Sequence, residues 1–198
     1  MIRLALHPQV QALLAQLASQ NTPPLTTQTP QEARQRPRAA VPREPVESVE
    51  DRQIPGPGGY PLTVRIYRPK KQASLPVLVY AHGGGWVLNN LDSHDHVCRA
   101  LANTANWAVV SVDYRLAPEH QFPAAAEDMY AALRWVSTSA DSFGGDSTHI
   151  AVGGDSSGGN LAAVSALMSR DRGGPALCYQ LLVYPITDHN FDTRSYRQ

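Results

Sequence analysis

From residue 75 onward the chain alternates apolar runs with amphipathic segments, and that alternation limits the fold more than any other feature. Leu75–Ala81 (LPVLVYA) and Trp107–Asp113 (WAVVSVD) are near-continuous apolar runs, as expected of strands buried on both faces. Ile150–Gly153 reads as a third, short buried strand and Tyr179–Tyr184 (YQLLVY) as a last one. The segments between them read as helices. The first is capped by Ser93 or Asp92 and runs to about Asn103. The second starts at Pro123, with Met129, Leu133 and Val136 on one side, and the third spans Ser156–Arg170 and is rich in small residues. Right-handed crossovers turn this order into an open, mostly parallel α/β sheet with helices on both faces. Ligands of such sheets bind beyond the carboxyl ends of the strands, so chemistry is expected just after Ala81, Asp113, Gly153 and Tyr184.

The part before residue 75 has two characters. Val46–Ile54 and Leu62–Tyr67 alternate apolar and polar residues around Pro55-Gly56-Pro57-Gly58-Gly59, the pattern of a β-hairpin. Residues 8–20 place Val10, Leu13, Leu14 and Leu17 at helical spacing behind Pro8. Residues 21–45 then carry Pro23, Pro24, Pro30, Pro37, Pro42 and Pro45, leaving room for helix only around Gln31–Arg36 with Thr29 as its cap. The expected organisation is a cap helix with a mobile Pro-rich appendage over 1–45 and one α/β domain over 46–198. Arg34, Arg36, Arg38 and Arg43 of the appendage read as solvated linker charges.

Seventeen basic residues balance seventeen acidic ones, so nothing favours nucleic acid or an anionic membrane as a partner. No stretch approaches the roughly 20 apolar residues that span a bilayer, and the apolar run at the N-terminus is short for a signal peptide. Cys98 and Cys178 form neither a CxxC site nor a disulfide framework. A cytoplasmic setting is therefore expected.

Two of the four strand ends carry glycine clusters. His82-Gly83-Gly84-Gly85-Trp86 follows the first strand, and Gly154-Asp155-Ser156-Ser157-Gly158-Gly159-Asn160 follows the third. The second contains G-x-S-x-G, in which Gly154 and Gly158 allow a sharp strand-to-helix turn that holds the Ser156 hydroxyl above the sheet. Ser157 does not fit that motif, because Asp155 stands two positions before it. By composition, G-x-S-x-G arises by chance about 0.07 times in such a chain and His-Gly-Gly-Gly about 0.002 times. Successive glycines let backbone N–H groups approach an oxyanion, so the pair points to acyl transfer. G-x-G-x-x-G, a P-loop and H-E-x-x-H are all absent from the sequence. His94 and His96 around Asp95 have a spacing that aims them apart, so no metal site is expected there.

These segments resemble the hormone-sensitive-lipase group of α/β-hydrolases. The connection from Asp113 to Asp128 (DYRLAPEHQFPAAAED), the hairpin strand Val64–Pro69 (VRIYRP) and Tyr184-Pro185 resemble the same group, so the likeness covers about residues 46–188. It implies a carboxylesterase for short to medium acyl esters, with a small ester as partner and neither metal nor cofactor. It makes Ser156 the nucleophile and the N–H groups of Gly84, Gly85 and Ser157 the oxyanion donors. His82, Gly83, Gly154, Asp155 and Gly158 become scaffold residues of the two loops, and Glu119 and Asp128 are structural. Ser157 stands where the family pattern has Ala, a small departure because only its main-chain N–H is used. Trp86 either lines an acyl pocket or covers the core.

In this fold the triad runs Ser, acid, His along the chain. After Ser156 the acids are Asp171, Asp188 and Asp192, and the sole histidine is His189. Asp188 and His189 are neighbours that point apart on an extended chain, while Asp171 belongs to the far end of a helix. Neither pair suits the role, and about six of the family's eight strands are recognisable. Tyr179–Tyr184 would be left as an apolar edge. The expectation is a C-terminally truncated hydrolase with little turnover of its own. The alternatives left open are a non-catalytic binding protein or an inactive fragment on the same scaffold, one completed by a second polypeptide, and a hydrolase of amides.

Overall fold

The computed structural model describes residues 6–20, 22–37, 40–72, 74–194 and 196–197. Arg38, one of the appendage arginines, lies outside the described residues, as do the first five positions of the N-terminal apolar run. The chain divides into two units, Met1–Pro37 and Arg38–Gln198. The division precedes the compositional boundary at residue 45. Within the larger unit, Asn103 Nδ2 donates to Glu44 Oε2 at 2.9 Å and to the Pro45 carbonyl at 3.1 Å.

The smaller unit holds helix α1 (Pro8–Ser19), with Pro8 in its first turn, and the short helix α2 (Pro30–Arg34). Thr29 caps α2 as its sequence suggests. The Glu32 N–H donates to Thr29 Oγ1 at 3.3 Å, and the Thr29 N–H donates back to Glu32 Oε2 at 2.7 Å.

The larger unit is a six-stranded sheet of order β1-β2-β4-β3-β5-β6. Strands β1 (Ser48–Pro55) and β2 (Pro61–Arg68) form the expected antiparallel hairpin, with Pro55 opposite Pro61. Strands β3 (Leu75–Ala81), β4 (Ala108–Val112), β5 (Gly145–Asp155) and β6 (Tyr179–Val183) run parallel to one another. Side-chain alternation along β3 supplies both faces. Leu75, Val77, Val79 and Ala81 join Met129, Leu133 and Val136 of α4 (Ala124–Ser139) and Leu161 of α5 (Ser157–Asp171) in one core. Leu78 and Tyr80 face the other way, onto Cys98 and Ala102 of α3 (Asp95–Ala105).

Two local expectations need correction. Helix α3 is not capped by Ser93 or Asp92: a turn of 3₁₀ helix spans Asp92–His94, His94 sits at the N-cap, and no side chain caps it. Ser93 turns its hydroxyl back to the Asn90 carbonyl at 2.7 Å instead. Strand β5 begins at Gly145, well before Ile150. Its polar start reads as a loop because Asp146 accepts from the Thr148 N–H at 2.8 Å and Thr148 Oγ1 at 2.6 Å. Strand β6 is the edge anticipated for it; among the described residues it pairs only with β5, with Tyr179 63% exposed.

Leu133 is fully buried where α4 meets the sheet. Leu133→Ala is expected to lower unfolding free energy by about 2–5 kcal/mol, read from urea or thermal melts.

Candidate active site

Parallel pairing of β3 with β5 ends with Ala81 opposite Gly154. The two glycine-bearing segments therefore leave the sheet side by side, at the carboxyl ends of adjacent strands. The chain then turns sharply at Ser156, whose φ of 54° and ψ of −118° fall outside the conformations an L-residue prefers. That turn is held from both sides. The Ser156 N–H donates to the Val183 carbonyl at 2.9 Å, and the Ser156 carbonyl accepts from Ile186 N–H at 3.2 Å. Asn160 Nδ2 donates to the Ile186 carbonyl at 2.8 Å, which fastens the segment after β6 to α5.

Gly158 shows why the turn needs its glycines. A Cβ there would lie 2.0 Å from the Ala81 carbonyl oxygen, so the first turn of α5 presses directly on the end of β3. Ser157 is the first residue of α5, and its N–H has no intrahelical acceptor. Its side chain is fully buried. On the facing loop, Gly84 and Gly85 take φ values of 138° and 61°, and the Gly84 carbonyl accepts from Val87 and Leu88. The glycine loop and the first turn of α5 are thus brought to the same end of the sheet as Ser156.

The remaining motif residues hold the loops. His82 is fully buried, stacked on the Tyr114 ring with centroids 4.3 Å apart. Its Nδ1 lies 2.9 Å from the Gly83 carbonyl, which only accepts, so Nδ1 carries the proton. The Tyr114 hydroxyl donates to the His82 carbonyl at 2.7 Å. Asp128 is buried and receives the Arg115 N–H at 2.9 Å and Arg115 Nη2 at 2.7 Å, pinning the connection after β4. Asp155 accepts from Tyr80 Oη at 2.8 Å and from the Gly83 N–H at 3.0 Å, with His94 Nε2 3.3 Å away. Burial pushes the Asp155 carboxyl up, but the bonds from His94 and Tyr80, the proximity of His94 and the Gly83 amide outweigh it and hold it at about 2.

A cavity of about 330 Å³ opens between the glycine loop and helices α4 and α5. Gly85 and Trp86 line one side, Phe122 and Pro123 another, and Leu161 and Val164 of α5 the floor. Trp86 both lines this cavity and packs against the core.

Asp171 is remote from this site. Asp171 ends the 15-residue helix that Ser156 precedes, a separation of about 22 Å at the usual rise. It pairs instead with Arg170 at 2.7 Å. His189 is fully exposed beside Asp188. Among the described residues no histidine is hydrogen-bonded to Ser156. The trio His94, Asp95 and His96 is also divided: Asp95 takes Tyr67 Oη at 3.1 Å and Arg99 Nε at 2.8 Å, while His94 turns to Asp155. Sequence reasoning passed over Tyr80, Tyr114 and the use made of His94. Their partners are distant along the chain, and no local pattern records them.

A family model described as alpha/beta hydrolase fold matches residues 78–198. The chain is 54% identical over 140 residues to the carboxylesterase NlhH of Mycobacterium tuberculosis, a match covering 70% of this chain and 44% of that protein. It is 41% identical to an arylesterase of Saccharolobus solfataricus, covering 67% of this chain and 43% of that protein. Among solved structures, an esterase of Pyrobaculum calidifontis is 58% identical with a TM-score of 0.70, covering 72% of this chain and 46% of its own. A variant of the esterase rPPE superposes with a TM-score of 0.89 at 35% identity, over 96% of this chain and 61% of its own. The chain spans less than half the length of the curated relatives named here.

Because the Asp155 carboxyl is held below its ordinary range, it adds stability above the unfolded carboxylate pKa of about 3.9, and that contribution is lost as pH falls toward 2. Asp155→Asn is expected to flatten this part of the acid-unfolding curve, measured by circular dichroism between pH 5 and about pH 2.

Proposed function

The chain belongs to the α/β-hydrolase fold family, and from that membership we propose that it carries the nucleophile and the oxyanion hole of a serine carboxylesterase. The observation that carries this reading is Ser156 on its strained turn, at the carboxyl end of β5 and beside the glycine loop. In the proposed reaction Ser156 Oγ attacks the ester carbonyl as a histidine takes its proton. The N–H groups of Gly84, Gly85 and Ser157 stabilise the tetrahedral oxyanion. Collapse expels the alcohol, which leaves with the proton from the histidine. Water then attacks the acyl-enzyme by the same route, releasing the carboxylic acid and restoring Ser156.

The histidine and its acidic partner are proposed to lie outside these 198 residues; what supports this is the full exposure of His189 and the place of Asp171 at the far end of α5. By itself the described chain is proposed to turn over slowly, with the oxyanion hole and serine but no base. The substrate class proposed is a short to medium acyl ester. What supports it is the apolar cavity of about 330 Å³ beside Gly85. A cytoplasmic setting belongs to the same reading; Cys98 and Cys178 are free thiols, as a reducing compartment keeps them.

A fluorophosphonate probe tests the nucleophile on the full-length polypeptide that carries this chain. Wild type is expected to label stoichiometrically at Ser156. Ser156→Ala is expected to lose the label and about 10³-fold or more of ester turnover. Unchanged hydrolysis by Ser156→Ala would remove the mechanism. Val164→Trp is expected to shorten the cavity. The ratio of kcat/KM for octanoate over acetate esters should then fall at least about tenfold, each lost methylene contact being worth about 0.8 kcal/mol.

A further inference from the structure

Asp155 does more than precede the nucleophile in sequence. Its carboxylate joins the Ser156 turn to the glycine loop, through the Gly83 N–H at 3.0 Å. The fit is close enough to dictate the residue at 83: a Cβ on Gly83 would meet Asp155 Oδ2 at 2.2 Å. The carboxylate therefore occupies the place of a side chain on the loop, and where it sits decides where Gly83, Gly84 and Gly85 sit.

Two side chains set where it sits. Tyr80 Oη donates to Oδ1 from the end of β3. From the opposite side comes His94, whose Nε2 lies 3.3 Å from Oδ1 and 3.4 Å from Oδ2, straddling both oxygens. A carboxylate only accepts, so Nε2 carries the proton in this contact. His94 is itself held in a rigid frame. Its Nδ1 lies 2.9 Å from Ser93 Oγ. Ser93 and Asn90 close a reciprocal turn: the Asn90 N–H donates to Ser93 Oγ at 3.0 Å, and the Ser93 N–H donates to Asn90 Oδ1 at 3.0 Å. The ring faces that of His82, with centroids 5.5 Å apart. This frame is the reason the helix after it lacks a Ser93 cap.

We propose that His94 is a positioning residue for the oxyanion loop: through the Asp155 carboxylate it holds the Gly83 amide, and so the N–H groups of Gly84 and Gly85, in register with Ser156. The inference rests on the esterase reading of Ser156 and the glycine loop. His94 contacts Asp155 and Ser93, and it acts by fixing donors whose charge partner forms in the transition state. Its removal should therefore slow the chemical step and spare ground-state binding.

The test uses the full-length polypeptide carrying this chain, with p-nitrophenyl butyrate as substrate and an alkyl trifluoromethyl ketone as the transition-state mimic. In His94→Ala, kcat is expected to fall about 10- to 100-fold, as small misplacements of catalytic donors do, with KM within about twofold. Affinity for the ketone should fall in step with kcat. His94→Gln, which returns an N–H at similar reach, is expected to recover most of both. Tyr80→Phe removes the other side-chain donor to Asp155 and should show the same kcat-selective loss, so it carries the test if His94→Ala does not fold. Wild-type kcat and ketone affinity in the His94 and Tyr80 variants would overturn the proposal. So would losses confined to thermal stability, or to KM. Ser156→Ala assayed alongside separates the two readings: if it stays active, the esterase site itself is wrong, whereas an inactive Ser156→Ala beside a fully active His94→Ala removes only the role of His94.

Discussion

The register between β3 and β5 is the constraint on which the site depends. With Ala81 opposite Gly154, both chains leave the sheet at one level, and the two glycine-bearing segments emerge as neighbours. A slip by one residue would send every β3 side chain to the opposite face, so the register is fixed by burial on both sides and not by the loops. Leu75, Val77 and Val79 could not leave the α4–α5 core without exposing Leu78 and Tyr80 to it. The geometry of the functional end is thus set by apolar packing some residues below it.

Acids that are buried or half-buried then convert that geometry into a rigid rim. Asp95, Asp128 and Asp155 each stand at or just beyond a strand end or helix start, and each collects donors from a different segment. Asp95 joins α3 to β2 through Tyr67, and Asp128 joins α4 to the connection after β4 through Arg115. Arrangements of this kind contribute little net stability when both charges are desolvated, but they exclude alternative positions of the segments they join.

The sheet elements were legible because a continuous apolar run has few other uses in a chain of this size. Leu75–Ala81 and the α4 stripe of Met129, Leu133 and Val136 are cases where period and burial coincide. The polar start of β5 was not legible, since Gly145–His149 carries turn-forming residues and gains its strand pairing only from the neighbouring Leu75. The helix cap was misread for a related reason: Ser93 has a suitable hydroxyl, but the turn with Asn90 uses it first. At the site, Ser156 and the glycine loop stand out because strained backbone demands particular residues in consecutive positions. Tyr80, His94 and Tyr114 do not, because a hydrogen bond across the fold leaves no trace in local spacing.

The press of backbone against backbone at Gly158 and of carboxylate against Gly83 limits substitution as well as geometry. Position 83 has no room for a side chain while Asp155 stands against it, and position 158 has none while the Ala81 and His82 carbonyls close on it. A side chain placed at either glycine has to displace a carboxylate or a stretch of backbone, so a change there is a change to the whole turn and not to one residue.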